Sequence, residues 1–214
     1  ALNFDPLANT DDGFCCGSEI PLPPFGTQIG QDIDGESAGD ESGYSVSMSD
    51  DGNIVAIGAW YNDGSGINAG HVRVYENISG SWIKLGQDID GESASNQSGW
   101  SVSLSSDGNI VAIGANGNDG NGNDAGHVRV YQYNGNSWIK LGDDIDGEAA
   151  GDQSGYSVSM SSNGNTVAIG ALKNNANSGH VRVYNYNGTS WIKLGDDIDG
   201  EAAGDHSGYS VSLS

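Results

Sequence analysis

The sequence predicts an all-β fold: tandem four-stranded antiparallel blades of a β-propeller, three complete repeats with partial blades at both ends. Three observations carry this. The acidic segment Asp32-Ile33-Asp34-Gly35-Glu36 returns at Asp88–Glu92, Asp144–Glu148 and Asp197–Glu201, at steps of 56, 56 and 53 residues. Trp82, Trp138 and Trp191 keep the same spacing, as do His71, His127 and His180. Within each unit run four short strand-like segments, and nothing shows helical periodicity beyond a turn or two. Four strands per unit at this period point to propeller blades. A β-solenoid would have shorter coils with one strand per face.

The first strand, Tyr44–Ser49, alternates apolar residues with serine, so one face is bulky and the other small. A turn of the form Ser-Asp-Asp-Gly or Ser-Ser-Asp-Gly follows, in which glycine supplies the positive φ. The second strand, Asn53–Ala59, is apolar on both faces and is expected to be buried on both. The third, His71–Tyr75, alternates again, and a turn such as Asn134-Gly135 or Asn187-Gly188 leads to the fourth, Trp138–Gly142. The shorter third step comes from one loop, 172–178, against 60–69 and 116–125 in the earlier units. The repeat region is read as 26–214, in units of about 31–86, 87–142 and 143–195 with a partial unit at 196–214. Residues 1–25 form an Asp- and Cys-containing segment or linker.

The charge excludes whole classes of partner. Against 29 Asp+Glu stand 7 Lys+Arg, a net charge of −22. This repels nucleic acid and anionic membrane surfaces and makes calcium the natural counter-ion. No apolar run is long enough for a membrane-spanning helix, so no membrane insertion is expected. The chain starts at Ala1 and ends on Tyr209–Ser214, inside a repeat, so both ends are expected to have been cut. Cys15 and Cys16 are adjacent and outside the repeats; they are too few ligands for zinc, and a partner upstream of Ala1 would account for one of them.

The string Gly99-Trp-Ser-Val-Ser, Asp107-Gly-Asn-Ile-Val-Ala-Ile-Gly-Ala115, Gly126-His-Val-Arg-Val-Tyr131 resembles the FG-GAP repeat of integrin-α-type propellers. The resemblance covers about residues 26–214 and implies a propeller used for interaction rather than reaction. Many blades of that family carry an Asp-x-Asp-x-Asp-Gly calcium loop between their first two strands. Here it has shrunk to Ser105-Ser106-Asp107-Gly108, so that calcium site does not carry over. Residues 1–15 resemble the thrombospondin-type-3-like acidic units of secreted marine bacterial proteins. Three blades and a fraction are fewer than a closed propeller holds, and open ends leave unpaired strand edges. A longer native chain, or association of chains into a ring or fibre, is therefore expected.

The candidate metal site is the acidic segment. Residues two apart on a strand point the same way, so Asp32 and Asp34 can converge, with Glu36 and Asp40 on the turn that follows. Its copies are Asp88, Asp90 and Glu92; Asp144, Asp146, Glu148 and Asp152; and Asp197, Asp199, Glu201 and Asp205, with Asn96 in place of the fourth acid in the second copy. Up to four carboxylates per loop suit calcium. The competing readings are a charged edge that discourages strand pairing and capping of turn amides. The oxygen-rich loop 116–124 is a second calcium candidate, though its composition is also simply turn-forming.

The three histidines, one per repeat at a strand start, are read as structural contacts. Arg73, Arg129 and Arg182 are expected to pair with an acid of a neighbouring blade. The tryptophans with Tyr75, Tyr131 and Tyr184 are read as inter-blade packing before sugar platforms. No nucleophile–base constellation, phosphate loop or zinc motif is present, so no catalysis is expected. Sequons stand at Asn77, Asn96 and Asn187. The expected function is an extracellular, secreted or cell-surface adhesion module binding protein or glycan through its loops. The alternatives are a structural subunit that self-associates by completing blades between chains, and a targeting domain of a polysaccharide-active enzyme.

Overall fold

The computed structural model describes residues 26–214; the readings of Cys15, Cys16 and the 1–15 segment lie outside the described residues. Three antiparallel sheets follow one another. The first holds β1 (Ser45–Met48), β2 (Ile54–Ala59), β3 (His71–Ile78), β4 (Ser81–Lys84) and β5 (Ile89–Asp90). The second holds β6 (Ser98–Leu104), β7 (Ile110–Ala115), β8 (His127–Tyr133), β9 (Trp138–Lys140) and β10 (Ile145–Asp146). The third holds β11 (Ser154–Met160), β12 (Thr166–Ala171), β13 (His180–Tyr186), β14 (Trp191–Lys193) and β15 (Ile198–Asp199). Each is a meander in which the outer strand comes in two pieces. β4 pairs with the far half of β3 and β5 with its start, Val72 opposite Ile89. The acidic segment is thus the second half of a blade's outer strand. The units beginning near 87 and 143 therefore start half a strand inside the preceding sheet.

The hairpin between the first two strands explains itself locally. Asp107 accepts from the Ser105 hydroxyl at 2.6 Å and from the Asn109 amide at 3.0 Å, and Ser105 Oγ accepts from the Ile110 amide. Asp51 and Asn163 repeat the arrangement. Hydrogen bonds to Ser49 and Asn53 hold the Asp51 carboxyl below its ordinary range. Side-chain hydrogen bonds thus close the turn.

The alternation in the first strand is a joint between blades. Its serines face the next blade. Ser47 Oγ accepts from the Leu104 amide at 2.9 Å, Ser103 Oγ from Met160 at 3.0 Å, and Ser159 Oγ from Leu213 at 2.9 Å. Ser45, Ser101 and Ser157 donate to the carbonyls of Gly99, Gly155 and Gly208. Its apolar residues face the previous blade: Val102 and Leu104 pack with Ala56, Val72, Val74 and Ile89. Val158 and Met160 pack with Ala112, Val128, Val130 and Ile145. The approach is close enough to demand glycine, since a Cβ on Gly114 would lie 2.1 Å from the Gly155 carbonyl oxygen. As expected, β2, β7 and β12 are buried on both faces after their first residue.

Candidate functional site

Two kinds of side-chain cluster arise from stacking the blades. The first forms where the acidic segment of one blade meets the third strand of the next. Arg73, Arg129 and Arg182 donate Nη2 to the backbone carbonyls of Asp34, Asp90 and Asp146 at 2.8, 2.8 and 2.7 Å. Their Nη1 atoms lie 3.5, 3.2 and 3.5 Å from Glu36, Glu92 and Glu148. Arginine planes also rest over Tyr75, Tyr131 and Tyr184. The expected pairing of arginine with a neighbouring blade's acid is what the structure contains.

Beside each arginine sits a histidine with 1–2% of its side chain exposed. Burial first, and then the charge of Arg129, push His127 down to about 4. His71 and His180 are lowered by the same causes. All three imidazoles are neutral at neutral pH, with Nδ1 facing carboxylates at 3.7–3.9 Å. The resulting groups are Glu36–His71–Asp88, Glu92–His127–Asp144 and Glu148–His180–Asp197, with ligand atoms within 4.8 Å of one another. These groups could hold a metal ion, and one imidazole with two carboxylates suits a first-row divalent metal better than calcium. A metal would compete with bases already present. Lys84 and Lys193 bind Asp88 and Asp197 at 2.7 Å, and Lys140 binds Asp144.

The acids that come together therefore belong to different copies of the acidic segment. Among the described residues, no single copy gathers its own carboxylates into such a group. Asp34 and Asp90 contribute backbone carbonyls to the arginines, Asp32 accepts from Gln28, and Asp199 lies 3.9 Å from His180. Asp146 also offers its carbonyl to Arg182, while its carboxyl is pushed up by burial and by the charge of Asp144. Glu201 is exposed. The fourth acid turns away to cap its own loop. Asp152 accepts from the Ala149 amide at 2.9 Å and Asp205 from Ala202 at 2.7 Å. Asn96 does the same for Ser93 at 2.8 Å, which is why asparagine serves there. Asp40 is buried and accepts from Asn62. In the 116–124 loop, Asn118 and Asp119 likewise accept from the amides of Gly120 and Asp124.

The second cluster has no counterpart among the sequence-derived candidates. Tyr44, Trp100, Tyr156 and Tyr209 start the first strands of successive repeats, and their rings form one row, with neighbouring centroids 4.9, 5.4 and 5.3 Å apart. Trp60 joins at 4.9 Å from Trp100 and stacks on Tyr61. Each row member follows a tight turn closed by the carbonyl of Glu41, Gln97, Gln153 or His206, residues in left-handed backbone. The visible signal was the recurring Ser-Gly-aromatic triplet, masked because single aromatics at repeat positions read as packing. Trp82, Trp138 and Trp191 do pack. Their indoles donate to the carbonyls of Ile29, Leu85 and Leu141 on the preceding segment.

The sheets, their order and the serine-mediated joints define blades of a β-propeller. A family model described as the FG-GAP repeat matches residues 33–75. Among solved structures, the chain is similar to a putative 6-phosphogluconolactonase from Bacteroides uniformis. The identity is 12%, the match covers 72% of this chain and 40% of that one, and the TM-score is 0.50. It is similar also to hydrazine synthase from Kuenenia stuttgartiensis (14% identity, 81% and 40% coverage, TM-score 0.46). TolB from Acinetobacter baumannii is a further match (12%, 71% and 32%, 0.43). At such identity the likeness speaks for fold alone, and the chain spans 40% of the lactonase's length. No curated protein matches the sequence. Among the described residues no helix is long and apolar enough to cross a membrane.

Proposed function

We propose that this chain is an extracellular, non-enzymatic adhesion module that takes a protein or glycan ligand on its aromatic row. The row carries the reading. It joins residues from four repeats into one apolar surface, flanked by the chemically varied positions Glu41, Gln97, Gln153 and His206. Aromatic rings offer contact area at low entropic cost, which suits recognition. The polar clusters are committed to one another at the joints, and none presents a nucleophile beside a base. The test is tryptophan fluorescence titration with a panel of polysaccharides and purified surface proteins. A ligand that binds the native chain and is weakened at least about tenfold by Trp100→Ala or Tyr156→Ala supports the reading. A ligand indifferent to both substitutions removes it.

The metal part of the proposal is separate. Calcium or another divalent ion held at the Glu–His–Asp groups would raise the melting temperature, and chelation would lower it. An unchanged melting temperature at low ionic strength dismisses the metal.

A second reading, self-association by completing blades, is supported by exposed apolar residues on the two outermost faces. Val46 and Met48 are open on one and Ile198 on the other, at positions that meet each other inside the joints. Light scattering separates the readings, since a discrete small species is expected of the module and long assemblies of the subunit.

A further inference from the structure

The two joints between complete blades are built alike but one of them is open, and at the edge before the first blade Trp82 is only partly buried. Between the first two blades, Gln87 binds the edge of β9 in both directions. Its Nε2 donates to the Trp138 carbonyl at 3.0 Å and its Oε1 accepts from the Trp138 amide at 3.1 Å. Gln31 treats Trp82 in the same way. Trp138 is left 3% exposed. At the next joint the corresponding residue is Asp143, which has no donor for the carbonyl of Trp191 and makes neither bond. Trp191 still donates its indole N–H to Leu141, but it is only half-buried. A cavity of about 210 Å³ opens at this joint, walled by Asp143, Asp144, Asp146, Tyr184, Ser190 and Trp191.

We propose that this cavity binds a protonated primary amine. Three carboxylates line it, and the one lysine close to them, Lys140, is spent on Asp144. Asp146 shares the field of Lys140 and of Arg182, which donates to its carbonyl. Asp143 is thus the lining carboxylate that no basic side chain pairs with among the described residues. Trp191 supplies an aromatic wall, which attracts cations and accepts the adjoining methylenes, while Tyr184, already carrying Arg182 over its ring, adds apolar surface. The Trp191 carbonyl, freed from the glutamine bond, adds an acceptor at the edge. A neutral hydroxylated ligand would fill the space without relieving the charge, and an anion would be repelled by it. The overall charge of −22 concentrates cations around the protein in the same sense. The site shares no residue with the aromatic row and does not depend on it.

The test titrates the intact chain with n-butylammonium, glucosamine and Nα-acetyl-lysine amide. Their uncharged counterparts n-butanol and N-acetylglucosamine are the controls, at low and high salt, read by calorimetry and by the fluorescence change that Trp191→Phe abolishes. The amines are expected to bind and the uncharged counterparts not, with affinity falling as salt rises. The better of glucosamine and the lysine amide tells whether the amine belongs to an amino sugar or to a protein side chain. Asp143→Gln, which restores the residue of the closed joints, is expected to weaken binding at least about tenfold while keeping or raising the melting temperature. Gln87→Asp is expected to create a second amine site at Trp138. Equal binding of the uncharged counterparts overturns the proposal, as does unchanged binding in Asp143→Gln or no binding by any amine. Trp100→Ala is expected to leave amine binding unaltered, so this result and that for the aromatic row stand or fall separately.

Discussion

Identical positions of the first strand live in opposite environments in different blades. Val102 and Leu104, on β6, are 9% and 7% exposed, and Val158 and Met160, on β11, are 9% and 5% exposed. Val46 and Met48, on β1, are 61% and 52% exposed. Sequence, strand and hairpin are nearly the same; the difference is a neighbouring blade that lays Val72, Val74 and Ile89 against the apolar face. The last sheet mirrors this, with Ile198 59% exposed where Ile89 and Ile145 are 4%. Burial in this molecule belongs to the joint and not to the blade, so stability is close to a sum over joints.

The contrast yields four graded tests. Leu104→Ala empties a closed joint and is expected to cost about 2–4 kcal/mol in denaturant unfolding, while Met48→Ala costs under ~1 kcal/mol. Equal losses would break the comparison. The next effect is on pH dependence. His127 is neutral in the folded joint down to about pH 4, whereas its unfolded value is 6.5. Below pH 6.5 the unfolded chain therefore takes the proton first. The stabilisation is complete above 6.5, declines as pH falls, and is gone below about 4. Roughly 3 kcal/mol is involved at this joint. His127→Gln should flatten the melting-temperature profile between these limits, and an unchanged slope would assign the acid sensitivity elsewhere.

A smaller change is expected at the joint edge. Gln87→Asp removes the two-way bond to Trp138 and should cost about 1 kcal/mol, with a red shift of the indole emission. The smallest concerns the exposed pair Lys84–Asp88: Lys84→Ala should change stability by less than ~0.5 kcal/mol, and less still at high salt. A large loss there would mean that the Glu36–His71–Asp88 group depends on the lysine.

Much of the architecture was legible because it is local. The Ser-x-Asp-Gly-Asn turn states its own hydrogen bonds, and the alternation in the first strand marks two faces. The arginine at each third strand could be assigned to a neighbouring acid because basic residues are so few. The candidate sites were less legible. Asp34 and Glu36 were read as ligands from one segment, yet the structure groups Glu36 with Asp88, an acid from the next copy of that segment. The aromatic row was invisible because its members stand about one repeat apart and meet only when the blades stack. Gln87 and Asp143 look like a neutral exchange until the backbone of the tryptophan they face is known.

By itself the sequence determined the strands, the turns and the repeat, because period-two patterning and side-chain-closed turns act over a handful of residues. Only the tertiary structure decided which copies touch. Serine accepts from the next blade, arginine reaches the previous one, and a single missing amide leaves one joint open. These contacts join residues roughly a repeat apart, so they follow from how sheets stack and twist, which no local pattern encodes.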